Sequence, residues 1–211
     1  MTAPSAESTL IQQLLARVQR LEDQLAIHKL QSKYAHMLLK LDTDRIVDEC
    51  FALHSKEEPT LEFSDSGVYR GLDKIRQVYK DFATAKHVPG FFLMHLTTNP
   101  YIEIAADGLS ARSHWLSPGA VGSQSSARWV WGPYYVDYVK EDGEWKILHT
   151  NLAALFRNAY DESWAAAPDH GTVRATLTAK PDAPSTLYKP YNELKQERDI
   201  FKNHPRLPEP Y

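Results

Sequence analysis

The sequence predicts an α+β domain in which a curved antiparallel sheet wraps around N-terminal helices. As far as Phe82, apolar residues recur every three or four positions, which is the spacing of an amphipathic helix. From Phe91 onward they alternate with polar residues, as on strands, and turn residues separate the runs. Helices followed by consecutive strands are typical of α+β domains. A curved sheet covered by helices at one end leaves a cavity between the two layers.

The composition indicates a soluble globular protein whose ligands are not polyanions. The chain has 211 residues, which suits one domain with extensions, and 43% are hydrophobic and 24% charged. A net charge of −3 gives no attraction to nucleic acid or to an anionic membrane. The N-terminus lacks the basic start and apolar run of a secretory signal, and no segment reaches the roughly 20 apolar residues that span a bilayer. We therefore expect a cytoplasmic protein.

The first helix is predicted from Ser8 to about Lys40. It begins with an apolar stripe at Ile11, Leu14, Val18, Leu21 and Leu25. A second stripe in a shifted register follows at Ile27, Leu30, Tyr34 and Leu38. The shift predicts a break near Ala26 to His28 and a second helix that ends near Asp42. Residues 1–26 either pack on the domain or form a short coiled-coil arm that joins subunits.

Two more helices and a hairpin are predicted before Phe82. The segment Thr43 to Ala52 is a short helix whose apolar side includes Cys50, so we expect this thiol to be buried. As the single cysteine, it excludes an internal disulfide and any multi-cysteine metal site. Thr60 to Gly71 alternates like a strand and is interrupted at residues 65–67, whereas Leu72 to Phe82 is an amphipathic helix.

The remainder of the domain is predicted to be β-rich. The strands are FFLMHLTT, YIEIA, LSARSHWL, SARWVWGPYYVDYVK and EWKILHTNLAALF. Turns are expected at Asp107-Gly108, at Pro118 to Ser125 and at residues 141–143. Residues 161–211 hold most of the 13 prolines and predict a tail that lies on the surface or wraps a neighbour. The domain itself therefore covers residues 27–160.

The chain resembles the SnoaL-like branch of the nuclear transport factor 2 (NTF2) superfamily, whose members are small cone-shaped α+β domains. The matching segments are LEDQLAIHKLQSKYAHML, SDSGVYRGLDKIRQVY, HLTTNPYIEIAADGLSARSHW and GPYYVDYVKEDGEWKIL. The resemblance covers Leu21 to Phe156 and implies an NTF2-like cone. Because this superfamily holds dehydratases, isomerases, cyclases, epoxide hydrolases and pure binding domains, the fold alone does not select a function.

The resemblance to the dehydratases of this superfamily implies specific roles. In them a tyrosine on the early helix faces histidines on the sheet across an apolar pocket, and no cofactor is used. Tyr34 matches that tyrosine, His95 matches the histidine that precedes an Asn-Pro pair, and His114 matches a second histidine of scytalone-dehydratase-like members. Bile-acid-dehydratase-like members carry an aspartate five residues after the tyrosine, and here Leu39 replaces it. Another relative is a cofactor-free lyase that releases formaldehyde from lignin-type diarylpropanes.

The residues themselves also indicate acid–base chemistry. If the hairpin turns through Asp107-Gly108, Tyr101 pairs with His114, and simple alternation places His95, Asn99, Tyr101 and His114 on one side of the sheet. A three-residue loop would separate them, and Pro100 favours a bulge. Imidazole is a general base near neutral pH, and a tyrosine hydroxyl is a proton donor. We expect His95 to be the base, with His114 and Tyr34 holding the departing oxygen.

Other chemistries lack their sequence motifs. The histidines do not form the His-Glu-x-x-His pattern of a zinc enzyme, so no metal site is expected. There is no Gly-x-Ser-x-Gly motif for a serine nucleophile and no glycine-rich nucleotide loop, so no cofactor is expected either.

The sequence thus predicts a cofactor-independent lyase that acts on a hydrophobic hydroxylated aromatic molecule and eliminates water or formaldehyde. The catalytic candidates are Tyr34, His95 and His114. The substrate-binding candidates are Asn99, Tyr101, Trp115, Trp131, Tyr134, Phe92 and Lys40. A homo-oligomer, either dimer or trimer, is expected. The alternatives are a non-catalytic binding or assembly domain and an isomerase or cyclase.

Overall fold

The computed structural model describes residues 6–124, 126–166, 177–185, 187 and 191–211. Its helices are α1 (Ala6–Leu39), α2 (Ile46–Cys50), α3 (Leu72–Thr84) and α4 (Tyr191–Leu194). Short 3-10 turns at Thr43–Arg45 and Ala85–His87 precede α2 and follow α3. None of the helices in the described segments combines the length and the apolar character needed to cross a bilayer.

Eight strands form one curved, unclosed sheet. They are β1 (Thr60–Phe63), β2 (Gly67–Arg70), β3 (Phe92–His95), β4 (Thr98–Ile104), β5 (Ser110–Ser123), β6 (Ser126–Glu141), β7 (Glu144–Leu152) and β8 (Phe156–Ala159). The order is β2-β1-β7-β6-β5-β3, while β4 also pairs with β5 and β8 with β6. The predicted α+β class is confirmed, although β1 runs parallel to β7, so the sheet is mixed rather than purely antiparallel.

The first helix is continuous, so the predicted break near Ala26 to His28 is wrong. No proline or glycine interrupts α1. The two apolar stripes lie on different faces of one helix instead. The first, from Ile11 to Leu25, is exposed, while Ile27, Leu30, Tyr34 and Leu38 are buried against the domain. The shift of register therefore marks the point where α1 begins to use a different face.

β5 is longer than predicted. It continues through most of the turn expected at Pro118 to Ser125 and ends at Ser123, because β3 pairs with its second half in the register His95↔Gly119. β6 in turn pairs with β7 along one half and with β8 along the other. The strand expected to end at Phe156 is two strands, and Phe156 begins β8.

The core lies where α1, α2 and α3 pack on the sheet. Cys50 is fully buried in it, as predicted, and burial raises the pKa of its thiol to about 11. Trp145, at the start of β7, is also buried. Tyr34, Tyr79 and Tyr134 form an aromatic cluster in which the rings contact edge to face.

The last residues of the proline-rich tail lie on the sheet face that the helices leave open. The carbonyl of Tyr211 accepts a hydrogen bond from the backbone N–H of Ala106, and Arg112 stacks over its ring at 4.7 Å. His204 hydrogen-bonds the Tyr135 hydroxyl at 2.7 Å. Tyr188, one of the tail tyrosines, lies outside the described residues. The described end of the tail thus contacts its own chain.

Candidate active site

A cavity of about 490 Å³ opens between the helices and the inner face of the sheet. Most of its wall is apolar, which suits a hydrophobic small molecule. Its lining residues are Tyr34, Leu38, Phe63, Asp81, Phe82, Thr84, Ala85, Val88, Phe91, Leu93, His95, Val121, Gly122, Ser123, Ser126, Arg128, Tyr134, Leu152 and Arg157. Tyr34, His95 and Tyr134 were among the candidates from the sequence.

His95 is the last residue of β3 and is 7% exposed. Its Nδ1 has no hydrogen-bond partner among the described residues. Burial, and then the positive charge of Arg157, lower the pKa of His95 to about 3. The imidazole is therefore neutral at physiological pH and has a nitrogen lone pair that can accept a proton.

The imidazole of His95 fits because residue 119 is glycine. Gly119 pairs with His95 across β3 and β5. A Cβ at this position would lie 2.7 Å from Nδ1 of His95 and 2.9 Å from the carbonyl oxygen of Met94. Any larger residue at 119 must therefore displace the ring or the strand.

Tyr34 projects from α1 into the cavity and is 1% exposed. Its hydroxyl accepts a hydrogen bond from the Tyr79 hydroxyl at 3.0 Å, and Tyr79 does not line the cavity. Burial raises the pKa of Tyr34, Tyr79 and Tyr134 well above the ordinary value. Tyr34 therefore keeps its proton. Its hydroxyl also interacts with the Tyr134 hydroxyl, so a ligand would meet a hydrogen-bonded pair of phenols.

Arg157, on β8, is a cavity residue that the sequence did not single out. Its Nε donates to Oδ2 of Asp65 at 2.9 Å, and both side chains are buried. Nη2 is also buried and has no hydrogen-bond partner in the described part of the chain. A buried guanidinium with an unused N–H is suited to an oxygen atom that carries negative charge.

A sequence feature could have identified Arg157. It stands in ALFRNAY, where every residue except Arg157 and Asn158 is apolar and alternation places one side chain in two on the inner face. The predicted strand ends one residue earlier, at Phe156, so the sequence prediction gives Arg157 no place on the sheet. Asp65 was interpreted only as a turn residue between β1 and β2.

His114 does not lie with His95, so the expectation that they share a side of the sheet is wrong. His114 pairs with Tyr101 as predicted, but a register shift between Thr98 and Tyr101 inserts one extra residue into β4. Asn99, inside this bulge, has a φ of 48°. Because side chains alternate along a strand, the extra residue moves Tyr101 to the outer face. His114 lies on the outer face because it is five residues from Gly119, the β5 partner of His95.

His114 instead lines a polar pocket of about 500 Å³ between the outer face and the tail. Its ring contacts Tyr135 at a centroid distance of 4.6 Å, and burial lowers its pKa. The predicted pocket shared by two histidines and a tyrosine therefore does not form. His95 and Tyr34 lie on one face of the sheet, and His114 lies on the other.

The structure also places six predicted substrate-binding residues away from the cavity. Trp115 is fully buried in the core, where its Nε1 donates to the Ser113 hydroxyl at 2.6 Å. The others are largely exposed to solvent: Phe92, Asn99, Tyr101, Trp131 and Lys40. Trp131 lies on the outer face of β6, where it stacks on Phe156. Aromatic residues lie on both faces of the sheet, and the register of each strand decides the face of its residues, with the bulge in β4 reversing Tyr101.

Among the residues that the structure describes, no group of three or more histidine, cysteine, aspartate or glutamate side chains could hold a metal ion.

Comparison with known proteins identifies the fold independently. The family model described as a SnoaL-like domain matches residues 19–151. A search of curated proteins found no match. The solved structures that resemble the chain include a candidate scytalone dehydratase from Novosphingobium aromaticivorans, which is 16% identical with a TM-score of 0.59 and coverage of 74% of this chain and 98% of the other.

Two more structures show the same fold. The hexachlorocyclohexane dehydrochlorinase LinA-type3 from Novosphingobium barchaimii is 15% identical, with a TM-score of 0.57 and coverage of 72% of this chain and 99% of the other. Rv3472 from Mycobacterium tuberculosis, described as of unknown function, is 22% identical, with a TM-score of 0.54 and coverage of 82% and 90%.

Proposed function

The chain belongs to the SnoaL-like domain family, and on that premise we propose that it is a cofactor-independent lyase. Its substrate is a hydrophobic, hydroxylated aromatic small molecule, from which acid–base chemistry eliminates water or formaldehyde. One observation carries the proposal: a neutral imidazole, a protonated phenol and a buried guanidinium line the same apolar cavity.

His95 is the base. Its Nδ1 is sealed from the cavity, so Nε2 is the nitrogen that takes the proton. For water, the proton leaves a carbon next to the C–O bond, and the freed electron pair forms a double bond as the oxygen departs. For formaldehyde, His95 takes the proton of the hydroxymethyl oxygen, and the C–C bond breaks to give the carbonyl. The freed electron pair stays on the adjacent carbon, and the proton returned by His95 takes the place of the formaldehyde that leaves.

Arg157 stabilises the negative charge that develops in either reaction. The ion pair with Asp65 fixes the guanidinium, and its Nη2 has no other partner among the described residues. The side chain therefore does not have to reorient when the substrate binds. An anionic oxygen placed on Arg157 would offset the charge that lowers the pKa of His95. Such an oxygen would remove the smaller of the two causes of the low pKa of His95, while burial, the larger cause, would remain.

Tyr34 donates a proton to the leaving oxygen. Its raised pKa keeps the phenol protonated until a strongly basic oxygen forms. When the leaving group is water, the proton on His95 restores the phenol after release.

The aromatic nature of the substrate follows from the wall of the cavity. Phe63, Phe82 and Phe91 contribute rings to a space of about 490 Å³, which is within the usual range for a small-molecule site. The chain acts as a homo-oligomer.

The proposal is tested by mass spectrometry of the chelator-treated protein after incubation with a panel of hydroxylated aromatic compounds. The expected result is a product lighter by water or by formaldehyde, formed without added cofactor and absent when the protein is heat-denatured. Tight binding of a panel member without any product would instead establish a binding domain.

A compound that returns with unchanged mass but altered retention would indicate an isomerase or cyclase, and would also overturn the lyase. The three outcomes are distinguishable in one chromatographic run.

A further inference from the structure

The N-terminal part of α1 carries an apolar stripe that is exposed to solvent. Ile11, Leu14, Val18, Leu21 and Leu25 are each 49 to 66% exposed. Single exposed aliphatic residues are ordinary, but a contiguous row along one helix marks an interaction surface.

The opposite side of the same helix holds it to the domain. The carboxylate of Asp23 accepts hydrogen bonds from Nζ of Lys140 at 2.7 Å and from Nε1 of Trp145 at 2.8 Å. Arg20 donates to the carbonyl oxygen of Ile104 at 2.7 Å. At 3.6 residues per turn, Asp23 is nearly opposite the middle of the stripe. Most of the stripe therefore points away from the domain, and its last two residues, Leu21 and Leu25, border a groove against β4.

The residue types at the heptad positions of the stripe indicate what it binds. With a heptad written abcdefg, the spacing puts Ile11, Val18 and Leu25 at a positions and Leu14 and Leu21 at d positions. Isoleucine and valine at a with leucine at d favour two parallel strands over higher oligomers. We infer that the arm, residues 10–25, pairs with the same arm of a second copy of this chain as a parallel two-stranded coiled coil.

The flanking positions are complementary in that arrangement. In a parallel pair each g residue faces the e residue five positions later on the other helix. Arg17 then faces Glu22 of the partner subunit, and Leu10 faces Leu15 of the partner subunit. Both relationships occur twice because the dimer has two-fold symmetry. An antiparallel pair would place g positions opposite g positions and e opposite e, and would lose the contacts between opposite charges.

The arm is short, and its continuity with the domain compensates for this. An isolated helix of this length is marginal in water because the first turn is costly to form. Here α1 continues through residues 26–39, which are packed against the domain. The helix is thus already nucleated when the two arms meet. This assembly does not depend on the chemistry proposed for the cavity.

The oligomeric state of the full chain tests the pairing. Analytical ultracentrifugation should give a dimer for the wild type and a monomer for the double variant Leu14→Asp and Leu21→Asp. Ala16→Asp, at an exposed position on the same arm but off the stripe, is the matched control and should remain dimeric. All three positions are exposed, so circular dichroism should show the same fold throughout.

The orientation is tested separately by cross-linking and by charge exchange. Leu14→Cys should form an intermolecular disulfide, because only a parallel pair brings position 14 of both copies together, whereas Ala16→Cys should not. Arg17→Glu or Glu22→Arg alone should weaken the dimer about tenfold, and the two together should restore it. A monomeric wild type, a dimer that survives both aspartates, or a Leu14→Cys variant that forms no cross-link would each overturn the inference.

Discussion

Gly119 lies so close to His95 that a Cβ on the glycine would be 2.7 Å from Nδ1 of the imidazole. The position of the proposed base is therefore set by the absence of a side chain on the neighbouring strand. The missing side chain at residue 119 also explains how β5 can pair with β3 beside a buried ring.

Gly119→Ala should lower kcat/KM about a hundredfold, because the ring must move and displacements near 1 Å have effects of this size. Gly122→Ala is the control for an added methyl group, since Gly122 also lines the cavity but a Cβ there has its nearest neighbour at 3.5 Å and does not approach His95. Both variants should keep the circular dichroism spectrum of the wild type. Equal activity of the two variants would show that the position of His95 does not matter.

Tyr34→Phe should lose activity while Tyr79→Phe keeps it. Both substitutions break the same hydrogen bond between buried hydroxyls, so each should lower the free energy of unfolding by about 1 to 3 kcal/mol. Only Tyr34 presents its hydroxyl to the cavity. Urea unfolding and turnover measured side by side separate the two effects. A Tyr34→Phe variant with full activity would remove this residue from the mechanism.

Arg157→Met should unfold more easily by about 3 to 5 kcal/mol, because it leaves the Asp65 carboxylate buried without its ion partner. Replacing both residues, as Arg157→Met with Asp65→Leu, should recover much of that stability. Activity should stay low in the double variant, since the guanidinium is still missing. Recovery of activity together with stability would mean that Arg157 serves the fold alone.

His95 should make the protein less stable in mild acid. Its pKa is about 3 in the folded chain, against 6.5 as the ordinary value, so below 6.5 the unfolded chain takes up a proton that the folded chain does not. Between pH 7 and pH 5 the wild type should therefore lose about 2 kcal/mol more stability than His95→Gln. Urea unfolding at the two pH values measures this difference, and parallel losses would contradict it.

The apolar periodicity of the sequence predicts the fold. Part of the site is predicted by residues that interrupt this periodicity. Tyr34 and His95 are polar groups within apolar periodic segments, and such residues either find partners or face a cavity. His114 was linked to His95 through its partner Tyr101, but an extra residue in β4 breaks that alternation, so the pair lies on the outer face. A one-residue bulge has no compositional signature beyond Asn99-Pro100, yet it inverts every later side chain on the strand.

Arg157 and Asp65 were out of reach for a different reason. They are 92 residues apart in sequence, and their pairing exists only once β8 returns across β6 to the turn between β1 and β2. Contacts of that kind are fixed by topology rather than by local spacing. The sequence also does not give the register of the strands, which decides the face of each aromatic residue. Most of the aromatic residues predicted to line the cavity belong to the core or the outer face.

The most direct test of the proposed chemistry compares two histidines on opposite faces of one sheet. On the compound that releases water or formaldehyde, His95→Gln should lower kcat/KM by about 10² to 10⁴, the usual contribution of a general base. His114→Gln should stay within about twofold of the wild type, because its ring lies in the outer pocket. Full activity of His95→Gln, or an equal loss in both variants, would contradict the assignment of His95 as the base.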